Sequence, residues 1–529
     1  MRGKQLMSCT RREVILTTAA LLMAGTPANS DTAAAAAKEP VGQPTYPEIA
    51  SGDPESPEFH GPCVMGATPG RDFLFQVPHT GLAPLVVSAS GLPAGLRMND
   101  TGLITGKIER AGVYKVRLTA VNRAGNARRT LRIVAGAHKL ALTPPMGWNS
   151  WYAYSTGNTA ALTRAAGDAL VKKGLAAKGF MYVNLDDGWQ GGRSASGEIR
   201  PTAKFGDMHK LIAHIHRLGL RFGIYSSPGP KTCAGHTGSW GHELLDARTY
   251  ARWGVDFLKY DWCSYRIEVP RHPDLEQYIK PYAVMRRALD SVDRDMFFSL
   301  CQYGMSHVWT WGGKAPVFGN MWRTSGDIID TWQAISHNGF DSERQLYPFA
   351  GPGHWNDPCM LMLGYGKFRS GFLRPTRLTP HEQQLQVTLW CMLAAPLVLS
   401  CDLERLDPFT LDLVTNTEVL AVDQDEMGIQ GQCVDRQAGG IEVWARPLWD
   451  GTVAAAIFNR GPKAQRGHIA SWDMLTPVLR AGAKPLLGSQ PVRDLWKRKS
   501  LGEMRSFIAP VLSHGAVLLK IGTSRQTES

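Results

Sequence analysis

The sequence lacks the features that mark metal-binding and nucleic-acid-binding proteins. Its 529 residues include nine cysteines, which are scattered and form no C-x-x-C pair, so a zinc ribbon is excluded. Cys233, His236 and His242 lie near one another in the chain, but they do not make a usual metal-ligand pattern. The net charge is +12, yet no dense tract of lysine and arginine occurs. We therefore expect no metal and no nucleic-acid partner.

Long hydrophobic runs are missing as well. The apolar run from Val14 to Ala24 follows the twin arginines Arg11 and Arg12 and is too short to anchor the chain in a bilayer. Residues 1–30 resemble a twin-arginine signal peptide. No later segment has 18 uninterrupted apolar residues. We expect an exported protein, periplasmic or secreted, without a membrane anchor; nothing in the sequence indicates its oligomeric state.

The pattern of apolar residues divides the chain into three folded regions. After a proline-rich linker at 31–57, short β-forming runs fill residues 58–137 and predict a small β-sandwich for packing, attachment or carbohydrate binding. Residues 138–427 alternate apolar runs with amphipathic helical segments. Residues 428–522 return to strand-like runs and predict an antiparallel β-sandwich, followed by a tail at 523–529.

The central region predicts an α/β fold, a (β/α)8 TIM barrel. Helical segments separate eight apolar runs, at 144–148, 181–185, 222–226, 256–260, 296–300, 320–324, 348–355 and 395–400. Eight repeats of strand and helix are typical of the barrel. A doubly wound open sheet is the alternative, but no G-x-G-x-x-G motif follows the first strand.

Polar and aromatic residues follow nearly every predicted strand. The carboxyl ends of barrel strands share one mouth, where the active site of such a fold lies. Aromatic rings at this mouth can stack on a pyranose, and charged groups can bind its hydroxyls. The residues expected there are Trp151, Asp186, Asp187, Tyr225, Lys259, Asp261, Cys301, Tyr303, Arg323 and Asp327.

Two of the carboxylates suit glycoside hydrolysis. A retaining enzyme needs two carboxyl groups about 5 to 5.5 Å apart, and Asp261 and Asp327, after the fourth and sixth strands, can meet that spacing. Asp186 and Asp187 are adjacent, so they point to opposite faces of a strand and suit hydroxyl binding better. Lys259 and Asp261 alternate and share a face; from spacing alone they form either a structural ion pair or part of a site.

The chain resembles a known family through six stretches that occur in the family order. They are PPMGWNSW, YVNLDDGW, GIYSSPGPKTCAG, WGVDFLKYDWC, WRTSGDI and GPGHWNDP, and they closely resemble the α-galactosidases of glycoside hydrolase family 27, in clan D. The resemblance covers residues from about 140 to 520. The segment from Leu92 to Asn122 resembles the immunoglobulin-like domains attached to bacterial secreted enzymes.

The resemblance implies a retaining double displacement that uses no cofactor. Asp261 matches the family nucleophile, and Asp327 matches the general acid and base. For these roles Asp261 should be ionised beside Lys259, and Asp327 should be protonated before the attack.

Further positions match family residues that bind the sugar or brace the site. Asp186 and Asp187 match residues that hold O4 and O6, Lys259 matches the residue that binds O3 and O4, and Arg323 matches a residue near O2. The remaining pocket positions implied are Trp151, Tyr225, Cys301, Tyr303 and Met360, and the implied disulfide joins Cys233 and Cys263.

The sequence departs from the family pattern at two places. Cys301, Gln302 and Tyr303 stand where many relatives have Cys-Glu-Trp around the sugar 2-substituent, and Cys359 stands where the family usually has aspartate. The bulk of Tyr303 and Cys301 favours galactose over N-acetylgalactosamine.

We expect an exo-acting enzyme that releases terminal α-linked galactose from oligo- or polysaccharides. A β-L-arabinopyranosidase or an α-N-acetylgalactosaminidase of the same family is the enzymatic alternative, although Asp186 indicates that the O6 contact is wanted. A sugar-binding protein on an inactive hydrolase scaffold is the alternative of another class. Both catalytic carboxylates are present, which argues against it.

Overall fold

The structure is a computed structural model that describes residues 45–479 and 486–524. The predicted signal peptide at 1–30, the first part of the linker up to residue 44 and residues 525–529 of the tail lie outside the described residues. In the described part of the chain, no helix is both long enough and hydrophobic enough to span a membrane.

The first folded region is a β-sandwich. Its strands are β1 (Glu58–Phe59), β2 (Val64–Ala67), β3 (Asp72–Gln76), β4 (His79–Thr80), β5 (Val86–Ser90), β6 (Leu96–Met98), β7 (Leu103–Lys107), β8 (Gly112–Asn122) and β9 (Gly125–Ala135). One sheet has the order β2-β9-β8-β5 and the other β3-β7-β6. Alternating side chains of the two sheets, such as Phe75, Ile104, Val116 and Ile133, meet in one core, as a sandwich requires. The predicted immunoglobulin-like fold is confirmed.

The central region is a TIM-like sheet of eight parallel strands. These are β10 (Met146–Asn149), β11 (Tyr182–Asn184), β14 (Arg221–Ser226), β15 (Phe257–Asp261), β16 (Phe297–Cys301), β17 (Met321–Arg323), β18 (Trp355–Asp357) and β21 (Leu397–Leu399), and two small hairpins add β12 (Gln190–Arg193) with β13 (Ile199–Pro201) and β19 (Tyr365–Gly366) with β20 (Arg374–Pro375). The order is β18-β17-β16-β15-β14-β11-β10-β21. Leu361 makes a parallel bridge to Leu399, so the two edges of the sheet approach each other.

Helices connect these strands and cover the outside of the sheet. They are α1 (Trp151–Tyr154), α2 (Ala160–Lys172), α3 (Met208–Arg217), α4 (Glu243–Trp253), α5 (Leu275–Asp290), α6 (Trp332–Ile335), α7 (Pro380–Leu393), α8 (Pro408–Thr415) and α9 (Thr417–Asp423). Capping sets their starts: Asp274 and Gln277 form a capping box at α5, and Thr379 and Glu382 form another at α7. The (β/α)8 prediction is confirmed.

The seventh predicted strand lies further along the chain than expected. Residues 348–355 contribute only Trp355 to β18, which runs to Asp357. Prolines and glycines before it, including Gly353 at φ 102°, form a turn instead, because proline cannot donate to a strand ladder and a positive φ does not fit an extended chain.

The last folded region is a second β-sandwich. Its strands are β22 (Gln432–Gln437), β23 (Ile441–Pro447), β24 (Val453–Asn459), β25 (Gln465–Ile469), β26 (Gln490–Asp494), β27 (Lys499–Met504), β28 (Phe507–Val511) and β29 (Ala516–Ile521). They form a sheet of order β22-β23-β24-β29-β26-β27 and a pair β25-β28, all antiparallel, as predicted.

The N-terminal sandwich packs on the end of the barrel where the strands begin. Arg221, the first residue of β14, donates from Nη2 to the Leu74 carbonyl at 2.8 Å. Asp295, just before β16, accepts from the backbone of Thr68 at 2.8 Å and pairs with Arg71 at 3.2 Å. The carboxyl ends of the strands, where the active site is predicted, are at the opposite end of the barrel. The N-terminal sandwich therefore contacts the end that is away from the predicted site.

Candidate active site

The predicted site residues converge at the carboxyl ends of the barrel strands. Register explains part of this arrangement, since Lys259 lies beside Tyr225 of the neighbouring strand and Asp261 lies beside Cys301. One pocket is lined by Trp151, Tyr152, Asp186, Asp187, Tyr225, Cys233, Lys259, Asp261, Tyr303, Asp327 and Met360. It is narrow, about 40 Å3, so admitting a pyranose requires side chains at its rim to shift.

Two tyrosine hydroxyls hold the carboxylate of Asp261. Tyr303 donates to Oδ1 at 2.7 Å, and Tyr225 donates to Oδ2 at 3.1 Å. Tyr303 has a positive φ of 64°, which is rare for a bulky residue and is characteristic of functional sites. Burial raises the pKa of Asp261 to about 6, although Lys259 and the Tyr303 hydroxyl oppose the rise.

Two arginines hold the carboxylate of Asp327. Arg323 donates from Nη1 to Oδ1 at 3.0 Å, and Arg369 contacts Oδ2. Burial raises the pKa of Asp327, but the two guanidinium groups and Lys259 outweigh it and hold the pKa below its ordinary value. Both oxygens of this carboxylate therefore face positive charge.

A second pair of carboxylates lies across the pocket after β11. Asp186 Oδ2 accepts from Asn149 and from the Lys259 ammonium, each at 2.8 Å. Asp187 Oδ2 accepts from the backbone of Ala234 at 2.8 Å, while its buried Oδ1 has no partner among the described residues. Burial raises the pKa of Asp187. An unpartnered buried carboxylate oxygen beside a pocket is suited to accept a hydrogen bond from a ligand hydroxyl.

A disulfide joins the loops that follow β14 and β15. Cys233 and Cys263 are bonded, and the Tyr225 hydroxyl lies 3.1 Å from the Cys263 sulfur. The bridge thus touches a residue that holds Asp261. Among the described residues, the only cluster with metal-ligand geometry is Cys233, Asp261 and Cys263, and the disulfide already uses both of its thiols.

Comparison with known proteins agrees with this geometry. Residues 143–425 match the family described as Alpha galactosidase A, residues 438–521 match its C-terminal β-sandwich domain, and residues 59–135 match an Ig domain. The α-galactosidase of Coffea arabica is 41% identical over 364 residues, which cover 68% of this chain and 88% of that protein. The chain belongs to the glycoside hydrolase family 27 α-galactosidases.

Two solved structures show how far the likeness extends. A Bacteroides fragilis structure covers 88% of this chain and 98% of its own, with 33% identity and a TM-score of 0.80. α-Galactosidase I from Mortierella vinacea covers 74% of this chain and 100% of its own, with 31% identity and a TM-score of 0.66. This family 27 protein is therefore a glycoside hydrolase with an additional N-terminal domain.

The order of the two pKa values in this family 27 site is opposite to the order expected from the sequence. From the sequence, Asp261 is expected to be ionised beside Lys259, and Asp327 is expected to be protonated before the attack. Lys259 donates to Asp186 at 2.8 Å and its charge also lowers the pKa of Asp261, but burial outweighs this effect and raises that pKa to about 6. Asp327 has the lowered pKa because Arg323 and Arg369 both contact it.

Three predicted neighbours of the sugar lie behind the pocket wall. Arg323 and Cys301 are buried and do not line the pocket; they lie 3.9 Å apart, from Nη1 to Sγ. Gln302 is buried and donates to the Met305 carbonyl at 2.9 Å. Arg323 contacts two pocket residues. It donates to Asp327, and its guanidinium carbon lies 5.7 Å from the centre of the Tyr303 ring.

Cys359 also lies outside the pocket of this family 27 enzyme. Its side chain is buried, and its backbone, at φ 89°, donates to Asp357 at 2.8 Å. The aspartate-to-cysteine departure therefore changes the packing behind the wall.

Sequence reasoning missed two residues that matter here. Arg369 lies on the hairpin between β19 and β20, and Tyr152, whose hydroxyl donates to the Ile328 carbonyl at 2.6 Å, lines the pocket beside Trp151. Tyr152 could have been predicted from the sequence, because it lies shortly after the end of the first barrel strand. No sequence feature indicates Arg369, because its hairpin does not directly follow a barrel strand and only the fold brings it to Asp327.

Proposed function

We propose that this enzyme is a retaining exo-α-galactosidase that releases terminal α-linked galactose from oligo- or polysaccharides. The observation that carries the proposal is that Asp261 and Asp327 line one pocket together with Asp186, Asp187 and Lys259. A nucleophile, an acid and a set of hydroxyl-binding charges at one mouth are what the double displacement needs.

In the first step Asp261 attacks the anomeric carbon while Asp327 gives its proton to the leaving oxygen. The hydroxyls of Tyr225 and Tyr303 aim the attacking carboxylate and favour its ionised form, since both donate to it. In the second step Asp327 acts as base and activates water against the covalent intermediate.

Asp327 must change partners for this chemistry. Arg323 and Arg369 contact its two oxygens, so neither oxygen is free to carry a proton to a leaving group. The Arg369 side chain is 48% exposed, whereas Arg323 is 4% exposed. Arg369 is therefore the partner that withdraws when a substrate binds.

The side chains that line the pocket indicate that the sugar bound there is galactose. The free Oδ1 of Asp187 and the ion pair of Asp186 with Lys259 offer an acceptor and a donor for the outer hydroxyls of galactose. Tyr303 lies over Asp261 and leaves little room for an N-acetyl group.

We also propose export through the twin-arginine segment, supported by Arg11, Arg12 and the apolar run that follows.

Hydrolysis of p-nitrophenyl α-galactoside tests the function. We expect the wild type to release the phenol and to prefer this substrate over the β-L-arabinopyranoside and the α-N-acetylgalactosaminide. Asp261→Asn should lose about 10⁴-fold or more in kcat. Asp293→Asn, at an exposed aspartate outside the pocket, is the matched control and should keep full activity.

Chemical rescue assigns the nucleophile directly. Azide added to Asp261→Gly should restore turnover and form the β-galactosyl azide, because azide then attacks from the face that the carboxylate used. No release by the wild type, or unchanged release by Asp261→Asn, would refute the proposal.

A further inference from the structure

A second, larger cavity adjoins the catalytic pocket. Its volume is about 550 Å3, within the range of about 300–1,000 Å3 that is usual for ligand sites. Cys233 and Tyr303 line both cavities, so the two spaces share a wall beside Asp261. The larger cavity is therefore placed to receive what is attached to the sugar in the catalytic pocket.

The wall of this cavity comes mainly from the loop between β15 and α5. The loop starts directly after Asp261 with Trp262, turns through a short helix at Cys263–Ile267 and continues to Pro273. The group that leaves the anomeric carbon emerges close to Asp261, so this loop is the first surface it meets.

The cavity has an aromatic side that suits sugar rings. Trp262 and Tyr278 stack with ring centroids 5.1 Å apart, and both line the cavity. Ile267, which is 68% exposed, adds an apolar face at the rim. Aromatic and apolar faces of this kind pack against the C–H faces of pyranoses.

The charged side chains of the cavity are all of one sign. Among the described residues that line it, Arg266 and Arg271 are the charged ones, and Glu268 and Asp274 of the same loop do not line it. Guanidinium groups bind carboxylates and sulfates in bidentate fashion. The excess of lysine and arginine over aspartate and glutamate also draws anionic polymers toward the molecule as a whole.

We propose that this cavity is the leaving-group subsite and that it selects an anionic glycan, a chain of sugars carrying uronate or sulfate groups. The proposal rests on the proposed function, since the same catalytic pocket holds the galactose. Arg266 and Arg271 bind the acidic groups, the partly exposed Tyr278 packs on the rings with the buried Trp262 stacked against it, and Tyr303 separates the two subsites.

The test compares two substrates that have the same sugar rings, one of them charged and the other neutral. One is an α-galactosyl uronate disaccharide and the other is its methyl ester, with the same rings and linkage. For the wild type, kcat/KM for the free acid should exceed that for the ester by about fivefold at low salt, the effect expected of two exposed ion pairs. The excess should shrink as salt screens the charges.

Variants assign the preference to the cavity. Arg266→Gln with Arg271→Gln should bring the ratio of acid to ester close to one. Arg248→Gln, an exposed arginine on α4 that does not line the cavity, is the matched control and should leave the ratio unchanged.

Each contrary outcome has a distinct meaning. A wild-type ratio of one, or a ratio that the double variant leaves unchanged, overturns the anionic preference. An equal loss on both substrates shows a neutral leaving-group site and also overturns it. Failure of the wild type to hydrolyse p-nitrophenyl α-galactoside overturns the proposed function instead.

Discussion

Replacing Arg369 by glutamine tests how Asp261 and Asp327, the two carboxylates of the proposed mechanism, share protons. The guanidinium group contacts Oδ2 of Asp327, while Arg323 keeps its 3.0 Å hydrogen bond to Oδ1. Both cations help to hold the pKa of Asp327 below its ordinary value. Removing one of them should raise that pKa.

The size of the rise follows from exposure. The side chains of Arg369 and Asp327 are 48% and 29% exposed, so solvent screens the pair and its strength is about 0.5–1 kcal/mol. One pKa unit corresponds to about 1.36 kcal/mol, so the pKa of Asp327 should rise by about 0.4–0.7 units.

Most active-site substitutions lower activity, but Arg369→Gln should raise it. The proposed double displacement needs Asp261 ionised and Asp327 protonated, yet the pKa of Asp261 is raised to about 6 and that of Asp327 is lowered. Between the two values the single proton of the pair resides mainly on Asp261. Raising the pKa of Asp327 enlarges the productive fraction, so kcat/KM should increase about 2.5- to 5-fold.

The assay is the pH profile of kcat/KM, which reports the free enzyme, from about pH 3 to 8. The acid limb, set by Asp327, should move up by about 0.4–0.7 units, and the alkaline limb near 6 should stay in place. Arg377→Gln removes a 57%-exposed arginine that contacts Asp330 at 2.9 Å and serves as the control. An acid limb that stays or moves down refutes the reasoning, whatever happens to the rate.

Other changes test the remaining parts of the structure. Tyr303→Phe removes a 2.7 Å hydrogen bond to the ionised form of Asp261, so the pKa of Asp261 and the alkaline limb should rise by about one unit; an unmoved limb would show that the hydroxyl does not hold the carboxylate. Replacing Cys233 and Cys263 by serine opens a link across 30 residues and should lower the free energy of unfolding by about 3–4 kcal/mol, measured by denaturant titration. Asp295→Ala removes the carboxylate that binds the N-terminal sandwich and should cost about 1–3 kcal/mol in thermal unfolding while kcat/KM stays constant, so a loss of specific activity would contradict a purely structural role.

Much of the site could be predicted because its polar residues stand at the ends of apolar runs that the sequence marks as strands. Lys259 and Asp261 alternate at the end of one apolar run, and Arg323 ends another, so the barrel topology alone brings them to one mouth. The seventh strand was misplaced because an apolar, aromatic segment rich in proline and glycine resembles a strand in composition but turns in space.

Side-chain partners were harder to predict than positions. Alternation predicted that Lys259 and Asp261 share a face, as an ion pair or as part of a site, but it could not show that Asp186, in the loop after β11 and two strands away in the sheet, accepts from Lys259 at 2.8 Å. Arg369 reaches Asp327 across 42 residues of sequence, through a hairpin with no motif. The pKa order depends on both contacts, so it was beyond the reach of the sequence.

The N-terminal sandwich also gives the molecule a front and a back. It covers the end of the barrel where the strands begin, through Arg221 and Asp295, while the substrate arrives at the other end. A support or a fused partner attached to this domain would therefore hold every catalytic mouth facing away from the attachment surface. For an enzyme that hydrolyses galactosides, such an orientation would allow packing on a solid carrier at high density without blocking the approach of the substrate.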